Sequence, residues 1–195
     1  MDQLPNWLTW ARLMAVPVVV VLLVADEGHE GAARWWAVVV FVVAAFTDFL
    51  DGYLARRWHV ITSFGKLADP IADKALVLAT LLMLVIIDGV PWWPLAVLVV
   101  REVWVTVARL QVARTAVIAA SRGGKFKTAL QLAAVTFYLV PNGPAGLDSV
   151  AWWCLVAAVV VAVATWADYE ARIARAKRIA ARAEGAGSAR VTDDA

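Results

Sequence analysis

The chain has 195 residues, 63% of them hydrophobic and only 17% charged, with a mean hydropathy of +0.73 and a net charge of +2. Its apolar runs are too long and too many for one soluble core, which excludes an ordinary water-soluble domain, and a net charge this small gives no reason to expect a nucleic-acid partner. The one cysteine, Cys154 inside an apolar run, excludes an intrachain disulfide and is read as packing.

The first apolar run covers residues 7 to 25 and is broken only by Arg12. Leu13 to Ala25 has the length of a signal-peptide core, yet only Arg12 supplies positive charge ahead of it, so the run is read as a first membrane span. Asn6, Thr9 and Arg12 recur at i, i+3, i+6 on one helical face, and Asn6 behind Pro5 also suits a helix cap. Asp26, Glu27 and Glu30, with Gly28 and Gly31, read as an acidic, flexible loop. The second run, Arg34 to Arg57, is apolar until Asp48. Helical rise puts that aspartate roughly 20 Å below Arg34, in the cytosolic half of a hydrocarbon core about 30 Å thick.

A turn containing Trp58, His59 and Thr62 leads into a third helix over about Gly65 to Ile87. Pro70 is either a first-turn proline behind an Asp69 cap or a kink in a helix begun near Ser63. Four carboxylates, Asp48, Asp51, Asp69 and Asp73, thus interrupt a lipid-soluble stretch. Each costs roughly 2.5–3.5 kcal/mol near the middle of a membrane helix, so they must face the interior, toward water, cations or ligand. Asp48 and Asp51 share a stripe with Gly52, Ala55 and Arg56, and Asp69 and Asp73 form an i, i+4 pair. Carboxylates gathered this closely stay ionised only around a cation, and Mg²⁺ or Mn²⁺ suits an all-oxygen donor set.

Asp88, Gly89, Val90, Pro91 and Pro94 mark a tight outer turn before a fourth helix over about Trp92 to Val117. Arg101 and Glu102 lie deep within it, followed by Arg109 and Arg114. Glu102 and Arg109 share a stripe, which leaves open a structural ion pair or the capture of a phosphate by arginine. Ser121 to Thr128, SRGGKFKT, opens a fifth helix that reaches Pro141. The segment lacks the Walker spacing, but lysines at a helix start make an anion site, or simply supply inner-face positive charge.

An outer loop over 141 to 148 and a sixth, unbroken run over 150 to 167 complete a catalytic domain at 1–170. Arg172, Arg175, Lys177, Arg178 and Arg182 then predict a basic interfacial helix over 171–184, followed by a disordered tail over 185–195. No internal repeat is evident. The fold class is therefore all-α: a polytopic bundle of six transmembrane helices with both termini cytosolic, multi-pass in the cell membrane. All of the 18 Lys and Arg except Arg34 then fall on the inner side or within spans, and the pairs Trp35/Trp36, Trp92/Trp93 and Trp152/Trp153 fall at the outer ends.

Residues 48 to 73 spell D-x2-D-G-x2-A-R-x8-G-x3-D-x3-D, and this stretch resembles the signature of the CDP-alcohol phosphatidyltransferase family at every fixed position. The resemblance covers about residues 5 to 170. It implies transfer of a phosphatidyl group from CDP-diacylglycerol to an alcohol with release of CMP, at a site facing the cytosol, with two Mg²⁺ or Mn²⁺ ions, in a homodimer among membrane lipids. Carried over residue by residue, it implies metal ligation by Asp48, Asp51, Asp69 and Asp73, with Asp73 also taking the acceptor's proton. It further implies contact with the CDP moiety by Asn6, Thr9, Asp48, Asp51, Gly52, Arg56 and Thr62. Arg101, Arg109, Lys125 and Lys127 resemble the acceptor-phosphate residues of family members that use sn-glycerol 3-phosphate. Inositol phosphate and phosphatidylglycerol are the alternative acceptors within the family. A divalent-cation transporter is the alternative from another class, weakened because the acids cluster on one side instead of lining the full membrane depth.

Overall fold

The computed structural model describes the backbone of residues 4–29, 31–58, 65–112 and 122–193, and the side chains of 10–29, 31–47, 74–108 and 124–171. Among these residues there are six helices and no strand: α1 (Leu4–Asp26), α2 (Ala32–Trp58), α3 (Gly65–Ile87), α4 (Trp92–Val112), α5 (Arg122–Leu139) and α6 (Leu147–Asp193). The expected order of elements is observed. Helix α3 starts at Gly65, ahead of Pro70, so the proline lies inside the helix and not in its first turn. Helix α6 runs through the basic stretch to Asp193 without a break.

The turns between helices follow from local chemistry. Helix α3 stops where Gly89 adopts φ +69°, a left-handed conformation that side chains rarely take, and Val90 N–H donates back to Leu84 O at 3.3 Å. The described residues of the acidic segment after α1 form a hydrogen-bonded turn. Glu27 and Gly28 both take positive φ, His29 N–H donates to Asp26 O at 2.9 Å, and the buried Asp26 carboxylate accepts Gly31 N–H at 2.8 Å. Asp26 thereby satisfies a backbone donor that the reversal leaves without a helical partner.

Helix α1 packs on α2 and α3, and α5 packs along α6, which also carries α4. Val19, Leu23, Phe41, Leu81, Leu84, Leu98, Val135 and Leu155 fill the shared interior. The outside is as apolar as the inside: Val21, Phe46, Ile86 and Val160 are each at least 60% exposed, whereas Arg12, Arg34, Arg101, Glu102, Lys127 and Gln131 are buried. This inverts the arrangement of a soluble protein, where charged groups are almost never buried and large apolar patches are avoided. Lipid accepts such a surface. One helical segment among the described residues, Leu147–Ala171, is long and apolar enough to cross a membrane.

Arg34 locks one end of the bundle. Its guanidinium pairs bidentately with Asp88 at the end of α3, donates from Nε to Leu139 O at 3.2 Å and from Nη2 to Tyr138 O at 3.0 Å, and lies 3.9 Å from Asp26. The two carbonyls belong to the last turn of α5, which has no helical donors left to satisfy them. One side chain thus ties together α1, α2, α3 and α5. Trp35/Trp36, Trp92/Trp93 and Trp152/Trp153 gather near the same end, with Trp93 and Trp152 edge to face at 5.8 Å.

Candidate functional site

The Arg34 knot serves as a depth marker. Counting helical rise away from it, Arg12 on α1 and Asp48 on α2 lie 14 residues from Asp26 and Arg34, and Asp73 on α3 lies 15 residues from Asp88, all about 21–23 Å along the bundle. Asp51 and Asp69 fall about one turn further on by the same count. The four aspartate positions therefore occupy matching levels of two antiparallel helices, at the end opposite the three tryptophan pairs. Their side chains, with those of Asn6, Thr9, Gly52, Arg56 and Arg109, lie outside the described ones, and Thr62 lies outside the described residues altogether. Among the described side chains no three His, Cys, Asp or Glu gather.

Within a turn of the Asp73 level lies a charged cluster buried in the bundle, centred on Glu102 of α4. Its Oε1 accepts from Arg101 Nη1 at 2.8 Å and from Lys127 Nζ of α5, and its Oε2 accepts from Lys74 Nζ of α3 at 2.8 Å. Lys74 also donates to Thr106 Oγ1 at 2.9 Å, and Arg101 Nη2 reaches Thr165 Oγ1 of α6 at 3.3 Å. Arg101, Glu102 and Lys127 are all less than 9% exposed. The charge does not close: among the described side chains, three cations share one carboxylate. In a low-dielectric interior that excess favours any anion able to enter.

Of the four cations expected to oppose a phosphate, Arg101 and Lys127 come together here, while Lys125 is exposed and is not part of the cluster. Two residues along a helix turn the side chain through about 200°, which separates Lys125 from Lys127. Glu102, open in sequence to a pairing with Arg109, is held by Lys74, Arg101 and Lys127 among the described residues. Lys74 was not singled out by sequence. The available signal was a lysine beside Asp73 in an apolar helix, which needs an anion, with Glu102 the one carboxylate deep within a predicted span outside the aspartate motif.

A cleft of about 360 Å³ opens between α1 and α2, lined almost wholly by apolar side chains such as Val18, Val40 and Ala44, with Arg12 and Thr47 also on its wall. Arg12 is buried at the depth of Asp48, so the apolar cleft ends on the layer that carries the charged positions.

Residues 2–164 match the sequence profile of CDP-alcohol phosphatidyltransferase. The chain is 42% identical over 174 residues to a "Probable phosphatidylglycerophosphate synthase" of Mycobacterium tuberculosis, covering 89% of this chain and 82% of that protein. It is 40% identical over 159 residues to a "CDP-diacylglycerol--glycerol-3-phosphate 3-phosphatidyltransferase" of Bacillus subtilis, covering 76% and 82%. A protein of the same name from Rickettsia typhi is 39% identical over 148 residues, covering 75% and 82%.

Proposed function

We infer, from the premise that the chain belongs to the CDP-alcohol phosphatidyltransferase family, that it transfers the phosphatidyl group of CDP-diacylglycerol to sn-glycerol 3-phosphate. The products are phosphatidylglycerophosphate and CMP. The observation that carries the acceptor is the buried, cation-rich cluster around Glu102, within a turn of the level of Asp73. A phosphorylated acceptor brings a second anion to a cluster that has one carboxylate for three cations among the described side chains. We further propose that the six helices cross the cell membrane with both termini and the site on the cytosolic side, and that the protein works there as a homodimer. The apolar perimeter, the three tryptophan pairs near one end and the siting of Lys and Arg support the six spans and their orientation.

The donor set at 48, 51, 69 and 73 is all carboxylate oxygen on paired levels of two helices, which fits hard divalent ions. Asp48, Asp51, Asp69 and Asp73 would hold Mg²⁺ or Mn²⁺, which supplies charge neutralisation for the diphosphate. In the proposed reaction the acceptor's free hydroxyl attacks the phosphorus attached to diacylglycerol. Asp73 takes its proton, the phosphoanhydride bond breaks, and CMP leaves with that bond's electron pair. Asn6, Thr9, Gly52, Arg56 and Thr62 are assigned to the CDP moiety, and Arg101, Arg109 and Lys127 to the acceptor phosphate; Lys125, exposed and outside the cluster, is not assigned to it.

Purified protein supplied with CDP-diacylglycerol and, separately, glycerol 3-phosphate, inositol phosphate, serine or phosphatidylglycerol tests this through CMP release. Glycerol 3-phosphate is expected to support turnover at least about 100-fold faster than serine, because a site built around a buried charge rejects a substrate that leaves it unpaired. Preference for inositol phosphate or phosphatidylglycerol changes the acceptor. No CMP with any of them removes the transferase reading.

A further inference from the structure

We propose that Glu102 is a positioning residue for the acceptor phosphate, and that Lys74 is a cation of that site beside Arg101 and Lys127. The proposal rests on the acceptor reading above. Three positive groups from α3, α4 and α5 converge on the two oxygens of one carboxylate, Arg101 and Lys127 on Oε1 and Lys74 on Oε2. Without a central anion they would repel one another, and the two flexible lysine stems would swing apart. Glu102 holds them converged before substrate arrives. Among the described side chains its single negative charge leaves the group cationic, so a phosphate dianion is still attracted.

Two further observations point to a ligand. Arg101 is buried, yet its Nε has no hydrogen-bond partner among the described residues, although buried guanidinium donors are normally satisfied. The edge of a guanidinium is suited to a phosphate oxygen pair. Lys74 is also the neighbour of Asp73, and its bonds to Glu102 and Thr106 fix that turn of α3 against α4. The group that binds the acceptor's phosphate and the group assigned to its hydroxyl proton therefore sit on adjacent residues. One acceptor molecule carries both functions a few bonds apart.

The test uses the full chain in detergent, with glycerol 3-phosphate and CDP-diacylglycerol varied separately, for Glu102→Gln, Glu102→Asp and Lys74→Met. Loss of a charge-assisted phosphate contact is worth about 10- to 100-fold in binding. Glu102→Gln and Lys74→Met are each expected to raise KM for glycerol 3-phosphate by that factor, leaving KM for CDP-diacylglycerol within about twofold, and Glu102→Asp recovers part of the loss. A purely architectural Glu102 would lower kcat or yield without moving one KM alone. An unchanged or reduced KM for glycerol 3-phosphate in Glu102→Gln overturns the proposal. Lys74 is partly exposed, so Lys74→Met decides the matter if Glu102→Gln does not fold: wild-type KM in that variant is equally fatal. Wild-type protein that releases no CMP with glycerol 3-phosphate would instead sink the acceptor reading beneath it.

Discussion

Asp73→Asn is expected to lower CMP release by about 10²–10⁴-fold, the range that a positioned general base contributes. Asparagine keeps the size and most of the polarity of the side chain but takes no proton from the acceptor hydroxyl and brings one negative charge fewer to the metal positions. The residue sits on α3 beside Lys74, whose tie to Glu102 and Thr106 holds that part of the helix independently of the carboxylate. The variant is therefore expected to purify with wild-type thermal stability and to keep its KM for glycerol 3-phosphate within a few-fold. That separation of kcat from KM is the diagnostic. Turnover within tenfold of wild type, at saturating metal and both substrates, would show that another group takes the proton and that Asp73 has no such role.

The largest expected effect on stability lies at the far end of the bundle. Arg34→Met removes a side chain of similar length whose guanidinium pairs with Asp88, lies beside Asp26, and caps Tyr138 O and Leu139 O. Removing one partner from a fully buried ion pair costs about 3–5 kcal/mol, and since Asp88 is partly exposed and can be re-solvated, a loss of about 2–3 kcal/mol is expected here, most of it from the buried contacts of the guanidinium. For a chain of this size that corresponds to a fall of roughly 4–12 °C in the midpoint of thermal inactivation in detergent. Lysine is expected to rescue little, since one ammonium cannot make the bidentate pair with Asp88 and also reach two carbonyls. The end that carries the Asp73 level is held separately by Lys74 to Glu102 and by Arg101 to Thr165, so activity well below the midpoint should survive. A midpoint within about 2 °C of wild type would mean that the knot is dispensable.

Much of this molecule is local and could be read in one dimension. Apolar run lengths, the breaks at Asp88 to Pro94 and at 141 to 148, and the paired tryptophans set the six helices and their alternation, and the observed bounds of α3 coincide with those expected. The aspartate spacing is likewise a property of neighbouring turns, and it pointed to the family that the comparisons independently identify. Harder to read was the segment after α1, where composition gave only acidic and glycine-rich content. Its hydrogen-bonded turn comes from Asp26 accepting Gly31 N–H and approaching Arg34, bonds that composition does not encode.

Partner choice was decided only in three dimensions. For Glu102 the sequence offered a pairing with Arg109, whereas the structure gathers Arg101, Lys127 and, from α3 28 residues earlier, Lys74 around it, while leaving Lys125 outside. Arg34, in sequence a lone outer charge, is instead a buried link to Asp88 and to carbonyls more than 100 residues away. Periodicity gives the face on which a side chain sits, but depth and rotation relative to other helices come from turn geometry and from how all the helices pack at once. Charges in an apolar interior have no solvent to fall back on, so their pairing is settled by those distances, and the sequence on its own contains none of them.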